Sequence, residues 1–345
     1  MVTTVLVTGG AGFIGSNFVH YIAQKYPDYR IVVLDALTYA GSTDNLPEEM
    51  RQIDHPRMRF WYGDVVNAEL VNTLVAEADY VVHFAAETHV TRSIFDNRLF
   101  FQTDVMGAHT VANAVLKSDG RVRRFIHISS SEIYGTAERP LMDEEHPLKP
   151  MSPYASAKCG ADRLVYSYWA TYRIPATIVR PFNTFGPRQH LEKVIPRFIT
   201  SALLKEKVTV HGTGEAARDF VFVEDVCRGI DSIMHAAAAT VDGEAFNLAT
   251  GQHRTILSIA KDVLKLMGGC ETEIVFHGDR PGQVVRHSGD ASKINRLLGW
   301  KPAMTWEQGL KATIEWYTAN RSWWERQIWM RQIPIVTAAG HKEYH

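Results

Sequence analysis

Residues 2–35 constrain this chain more than any other stretch. An apolar, β-branched run over 2–7 ends in Gly9-Gly-Ala-Gly12-Phe13-Ile14-Gly15. Helical spacing of Phe18, Ile22 and Ala23 follows, and a second apolar run over 30–34 ends at Asp35. Strand, glycine turn, helix and strand make one βαβ unit. Gly9, Gly12 and Gly15 let the backbone turn tightly and approach a pyrophosphate, while the helix start, with Phe13 and Ile14, offers free N–H groups to it. Asp35, twenty residues after Gly15, can accept hydrogen bonds from an adenosine ribose and would repel a 2′-phosphate. The unit therefore points to NAD in preference to NADP. A glycine turn without a ligand is the bland alternative.

The pattern repeats. Residues 59–63 read as a third strand leading to Asp64-Val65, where Asp64 either caps the next helix or meets the adenine edge. Residues 80–84 read as a fourth strand leading to Ala85, 98–117 as a long amphipathic helix, 122–128 as a fifth strand and 174–179 as a sixth. This alternation implies an α/β fold, a Rossmann-type doubly wound parallel sheet, whose ligands sit beyond the strands' C-terminal ends. Gly9, Asp35, Asp64, Ala85 and Ser130 all fall at such ends. With 345 residues, a smaller α+β substrate-binding domain is expected beside it. The expected division is 1–180 for the NAD-binding domain and 181–345 for the second, with segments near 220–250 rejoining the first. Residues 195–205, 256–267 and 305–320 read as helices.

The chemistry concentrates in two segments. At the end of the fifth strand stands Ile128-Ser-Ser130-Ser131-Glu132-Ile-Tyr-Gly135. Further on, Tyr154-Ala-Ser-Ala-Lys158 puts a phenol and an ammonium at i and i+4 on one helix face. A free phenol titrates near pH 10. The Lys158 charge and a positive nicotinamide ring would both favour the phenolate. Tyr154 is then the expected base for a sugar hydroxyl whose carbon loses hydride, and Ser130 is placed to hold that hydroxyl. An ordinary helix tyrosine and a structural carboxylate at Glu132 are the plain alternatives.

Composition excludes other classes. A net charge of −1 gives no general attraction to nucleic acid or an anionic membrane. The three cysteines (Cys159, Cys227, Cys270) have no metal-like spacing and fit a reducing cytosol without a structural disulfide. The expectation is a cytoplasmic protein with no metal, no signal peptide and no transmembrane span.

On these residues the chain resembles the extended short-chain dehydrogenases/reductases, and within them the nucleotide-sugar 4,6-dehydratase family. The similarity covers nearly the whole sequence. Segments 8–15 and 154–158 are common to the superfamily. Segments 34–41, 192–196 and 279–282 (Leu-Asp-Ala-Leu-Thr-Tyr-Ala-Gly, Glu-Lys-Val-Ile-Pro and Asp-Arg-Pro-Gly) are far more specific, and 89–94, 218–219 and 298–302 add to them. The resemblance implies an NAD-dependent lyase acting on a nucleoside-diphosphate hexose. C4 is oxidised, water leaves across C5 and C6, and the hydride returns to C6. It also implies a homodimer pairing through helices 98–117 and 154–172. Arg92, Ser130, Asn183, Lys193, His211, Arg218 and Arg280 become substrate candidates, with Asn183, Arg218 and Arg280 near the phosphates and His211 near the base. The plain readings are an exposed histidine at His211 and a surface pair of Arg218 with Asp219.

The sequence departs from that family at informative places. The family's elimination run is Thr-Asp-Glu, with Asp as acid and Glu as base; here it is Ser130-Ser131-Glu132. Glu132 matches the base, but a serine hydroxyl is no comparable proton source. Similar hydroxyl-hydroxyl-Glu runs occur in GDP-mannose 4,6-dehydratases and in UDP-glucuronate decarboxylases. A decarboxylase and a 4-epimerase therefore stay open as alternatives. Asp104 stands where an asparagine is common, and must be either solvated or paired. A tail over 321–345 carries Trp323, Trp324 and Trp329, packed either on its own domain or on another subunit.

Overall fold

The computed structural model describes residues 2–269, 272–278, 284–331, 334–336 and 342–344. Arg280 and Cys270 lie outside the described residues. Strands β1 (Thr4–Thr8), β2 (Arg30–Asp35), β3 (Met58–Tyr62), β4 (Tyr80–His83), β5 (Arg124–Ile128) and β6 (Ala176–Pro181) are followed by β7 (Asn183–Phe185), β8 (Val208–His211), β9 (Ala217–Phe222) and β10 (Ala245–Leu248). Strands β11 (His253–Thr255), β12 (Ile274–His277) and β13 (Arg286–His287) complete the set used below.

The principal sheet has seven strands in the order β3-β2-β1-β4-β5-β6-β10. Every pairing in it is parallel. It is the doubly wound order extended by one strand. All five residues of β1 are buried, as a strand covered on both faces requires. Side-chain alternation divides the cover into two cores. Val5, Val7, Ile31 and Val33 join the helix residues Phe18 and Ile22 on one face. Leu6, Val32, Leu34 and Val81 join Val71 and Val111 on the other.

Two helices bear on the site. Helix Phe13–Lys25 begins at Gly12 with no side chain capping its first N–H groups. Helix Pro153–Tyr172 starts with proline in its first turn and with the Ser152 hydroxyl accepting from the Ala155 N–H. The expected helix over 98–117 is present but interrupted: Phe101–Met106 is π-helical, between helical Arg98–Phe100 and Gly107–Lys117.

The second unit is built on β9, which pairs with β7, β11 and β13. A two-stranded sheet of β8 and β12 lies beside it, and helices Val194–Leu203, Ile256–Leu266 and Trp306–Ala319 close its core with Phe185, Phe198 and Trp324. Trp323 and Trp324 are buried in this core, so the tail packs on its own chain up to that point, while Trp329 is exposed. The Trp323 indole N–H reaches Asn45 at 2.9 Å and so fastens the tail to the first unit. Among the described residues no helix is long and apolar enough to cross a membrane.

Candidate active site

The C-terminal ends of β1, β2, β4 and β5 open into one cavity of about 360 Å³. Gly9, Gly12, Phe13, Ile14, Gly15, Asp35, Asp64, Val65 and Ala85 line it. So do Ser130, Ser131, Glu132, Tyr154, Lys158, Asn183 and Lys193. Residues that the sequence distributes over 185 positions thus meet in one place. A larger groove of about 720 Å³ beside Arg254 and Trp306 shares no lining residue with it and holds none of these groups.

The nucleotide end is shaped by backbone. Gly9 has φ +69°, and a Cβ there would stand 2.4 Å from the Ala85 nitrogen. A Cβ on Gly15 would stand 2.3 Å from the Gly9 carbonyl oxygen. Neither position tolerates a side chain. Asp35 accepts the N–H groups of Ala11 and Leu37 at 2.9 and 2.8 Å, and burial pushes its carboxyl up from the usual range. Asp64 is exposed at the cavity rim and accepts from the Val66 N–H. It does not cap the following helix: Asn67, one turn closer, takes the Leu70 N–H. An uncapped helix start, a glycine cradle and a carboxylate at the second strand's end together fit a dinucleotide.

The polar end is held by the Ser131–Tyr134 turn and helix Pro153–Tyr172. Ser130 caps that turn by accepting the Glu132 N–H, and its hydroxyl also bonds the Tyr154 phenol. Lys158 donates to the Ile128 carbonyl at 2.7 Å. Burial pushes the Tyr154 phenol well above the usual value, the carboxylates of Asp104 and Glu132 push the same way, and only the Ser130 hydrogen bond opposes. Ser131 is buried, and its carbonyl oxygen accepts from His287 at 2.9 Å. With Nε2 carrying that proton, Nδ1 is the unprotonated nitrogen of His287, and it is buried without a hydrogen-bond partner.

The remaining candidates divide. Asn183 lines the cavity with its Oδ1 buried and unpartnered. Lys193 donates to the Thr88 carbonyl at 3.1 Å. Arg218 stands outside the cavity lining; burial pushes its guanidinium down from the usual value, and the charge of nearby Glu132 opposes this. The surface pair with Asp219 does not form. Asp219 instead accepts from Thr250, Gly251 and Gly289. Arg92 stands outside the cavity lining, its guanidinium 4.1 Å from the Tyr39 ring centroid. His211 is also outside it, bonded to the Gly278 carbonyl on the β8–β12 side.

Sequence reasoning assigned no role to a hub at Glu192. This buried carboxylate accepts the Tyr39 hydroxyl at 3.0 Å. It also lies 3.5 Å from His89, 3.6 Å from His190 and 3.5 Å from Lys193. Burial opposes its charge, but Lys193, the two histidines and the tyrosine together hold it below the usual range. The signal was present: Tyr39, His89 and Glu192 stand in three of the segments that carried the resemblance. Spacing alone does not show that they touch.

Comparison with known proteins agrees with this geometry. Residues 6–313 match the family described as GDP-mannose 4,6 dehydratase. The low-salt glycan biosynthesis protein Agl12 of Haloferax volcanii is 44% identical over 92% of this chain and 99% of its own. A trifunctional UDP-glucose 4,6-dehydratase/UDP-4-keto-6-deoxy-D-glucose 3,5-epimerase/UDP-4-keto-L-rhamnose-reductase of Arabidopsis thaliana is 37% identical over 93% of this chain, which spans 48% of that longer protein. Among solved structures, DesIV, a dTDP-glucose 4,6-dehydratase of Streptomyces venezuelae with NAD bound, superposes with a TM-score of 0.87 at 38% identity. It covers 94% of this chain and 99% of that one.

Proposed function

The chain belongs to the GDP-mannose 4,6-dehydratase family of extended short-chain dehydrogenases/reductases, and on that premise we propose that it is an NAD-dependent hydro-lyase converting a nucleoside-diphosphate hexose to its 4-keto-6-deoxy derivative. The observation that carries this reading is the convergence of Tyr154, Lys158, Ser130 and Glu132 in the cavity that also holds the glycine cradle and Asp35.

Gly9, Gly12, Phe13, Ile14 and Gly15 cradle the dinucleotide's pyrophosphate, and Asp35 takes the adenosine ribose. NAD bound there supplies a hydride acceptor and donor for the sugar carbons. Tyr154 removes the C4 hydroxyl proton while Ser130 holds the oxygen, and the Lys158 charge stabilises the developing phenolate. Glu132 takes the C5 proton, which the adjacent C4 carbonyl has made acidic. Ser131 has no comparable proton to give, so Glu132 returns the captured proton to the C6 hydroxyl, which leaves as water; when hydride then returns to C6, Glu132 passes a proton drawn from solvent to C5. One carboxylate serves as base and then as acid.

Asn183, Lys193 and Arg218, all partly buried, are the groups for the diphosphate and hexose, since charged and amide N–H donors suit phosphate oxygens. Retention of Glu132 beside Tyr154 favours elimination over plain 4-epimerisation, which needs no base at C5. The reading includes a cytosolic homodimer. Exposed Leu99, Phe101, Met106, Tyr166 and Tyr172, on the two helices that would meet, support the pairing. Incubation with dTDP-glucose, UDP-glucose and GDP-mannose followed by mass spectrometry tests the reaction. Loss of one water from at least one of them is expected. Loss of carbon dioxide from UDP-glucuronate, with no dehydration of the neutral sugars, would replace the proposal with decarboxylation.

A further inference from the structure

Asp104 is unusual for its surroundings. It lies in the π-helical segment Phe101–Met106, which packs against helix Pro153–Tyr172, the helix of Tyr154 and Lys158. Its side chain is only 1% exposed. Oδ1 accepts the Glu87 backbone N–H at 2.8 Å, while Oδ2 is buried with no hydrogen-bond partner. An ionised carboxylate in that position loses its hydration at one oxygen without replacement, which is unfavourable unless a nearby charge offsets it. The cation that acts on Asp104 is Lys158, buried and tied to the Ile128 carbonyl.

We propose that Asp104 is a positioning residue for the Tyr154–Lys158 pair: its buried carboxylate keeps Lys158 an ammonium inside the site and sets the field in which Tyr154 exchanges its proton. This rests on the reading that Tyr154 and Lys158 handle the C4 hydroxyl. Of the other groups facing the pair, Asp162 adds to this field after Asp104, and the rest do not supply it. His83 and His127, at the ends of β4 and β5, are driven far below neutrality by burial and then by Lys158, so both are uncharged. Asp162 on the Lys158 helix also holds Lys158 charged, but it ranks after Asp104 and its carboxylate is bonded twice by Arg180. Glu87, on the loop after β4, is raised by burial and faces Asp104 itself. Glu132 acts on Tyr154 from the opposite segment and is assigned to the elimination. Asp104 is pushed up to about 7 by burial, with Lys158 and the Glu87 N–H opposing, so its charge varies across the neutral range. Removing a buried negative charge disfavours the protonated form of every group near it.

The test is Asp104→Asn, which keeps the Oδ1 acceptor for Glu87 and removes the charge. In the NAD-loaded protein, ring-labelled tyrosine NMR follows Tyr154, identified by its loss in Tyr154→Phe. The Tyr154 resonance is expected to titrate at lower pH in Asp104→Asn than in the wild type. With dTDP-glucose and UDP-glucose, both limbs of the pH profile for reduced-nicotinamide formation are expected to move to lower pH. Should the Asn variant fold poorly, Asp104→Ser removes the same charge with a smaller side chain. Titration curves and pH profiles that superimpose on the wild type would overturn the proposal even if the variant were slower. A shifted Tyr154 titration with neither sugar oxidised would uphold the placement and contradict the substrate reading instead.

Discussion

Tyr154 and Glu132 divide the proton work, so their conservative variants are expected to fail differently. Tyr154→Phe removes the base at C4, and reduced-nicotinamide formation should fall by about 10²–10⁴-fold, the usual worth of a positioned acid or base. Glu132→Gln leaves that base in place. Rapid-scan absorbance should therefore still show nicotinamide reduction while water loss stops. Equal loss of both steps in Glu132→Gln would argue that the carboxylate is structural. Ser131→Asp tests the proton donor. The residue is buried beside Glu132, with its carbonyl fixed by His287. If Glu132 already carries the proton to the C6 hydroxyl, the added carboxylate should bring no gain in kcat for dehydration. A large gain would show that the site lacks an acid.

At the scale of elements, the glycine cradle is a requirement of close packing. Gly15→Ala places a methyl group 2.3 Å from the Gly9 carbonyl oxygen. Overpacking of this kind costs about 1–3 kcal/mol. The variant should melt lower and bind NAD weakly by calorimetry; unchanged affinity would mean that the dinucleotide lies elsewhere. The cradle and the Tyr154–Lys158 face were legible in the sequence because both are local. One depends on glycine spacing after a strand, the other on i and i+4 within a helix. The parallel sheet was legible because its inner strands are buried, largely apolar runs. What stayed hidden depends on contacts between distant segments. His287 reaches Ser131 across 156 positions. Glu192 gathers Tyr39 across 153. The π-helical segment that buries Asp104 has the composition of an ordinary helix, and nothing in its periodicity marks the extra residue. At Asp64 a cap and a ligand carboxylate look alike in sequence, and only the neighbouring Asn67, which holds the helix start, separates them.

For the whole molecule, Asp231 joins the glycine-turn helix to helix Val223–Met234. Its carboxylate accepts from Lys25 at 2.6 Å and from Tyr26 at 2.9 Å, and lies 3.0 Å from His235. Burial alone would raise it, but the bonds from His235, Lys25 and Tyr26 hold it down at about 2. A folded-state value below the ordinary carboxylate value of about 3.9 stabilises the fold above that pH. The contribution should disappear as pH falls from about 4 toward 2. Denaturant melts should show Asp231→Asn less stable than the wild type at neutral pH, with the gap closing at the acid end. A gap independent of pH would assign the loss to packing alone. The two units are also tied by Trp323 to Asn45, whose amide in turn donates to the Ala11 carbonyl beside the cradle, so the tail supports the cofactor end of the site.

The central claim is an elimination with internal return of hydride. Glucose deuterated at C4, carried on dTDP and on UDP, tests it in one product analysis by mass spectrometry and NMR. The account predicts a product lighter by one water that keeps the deuterium, now at C6. A product of unchanged mass, or a dehydrated product whose deuterium has gone to solvent or to exchangeable cofactor, would contradict it.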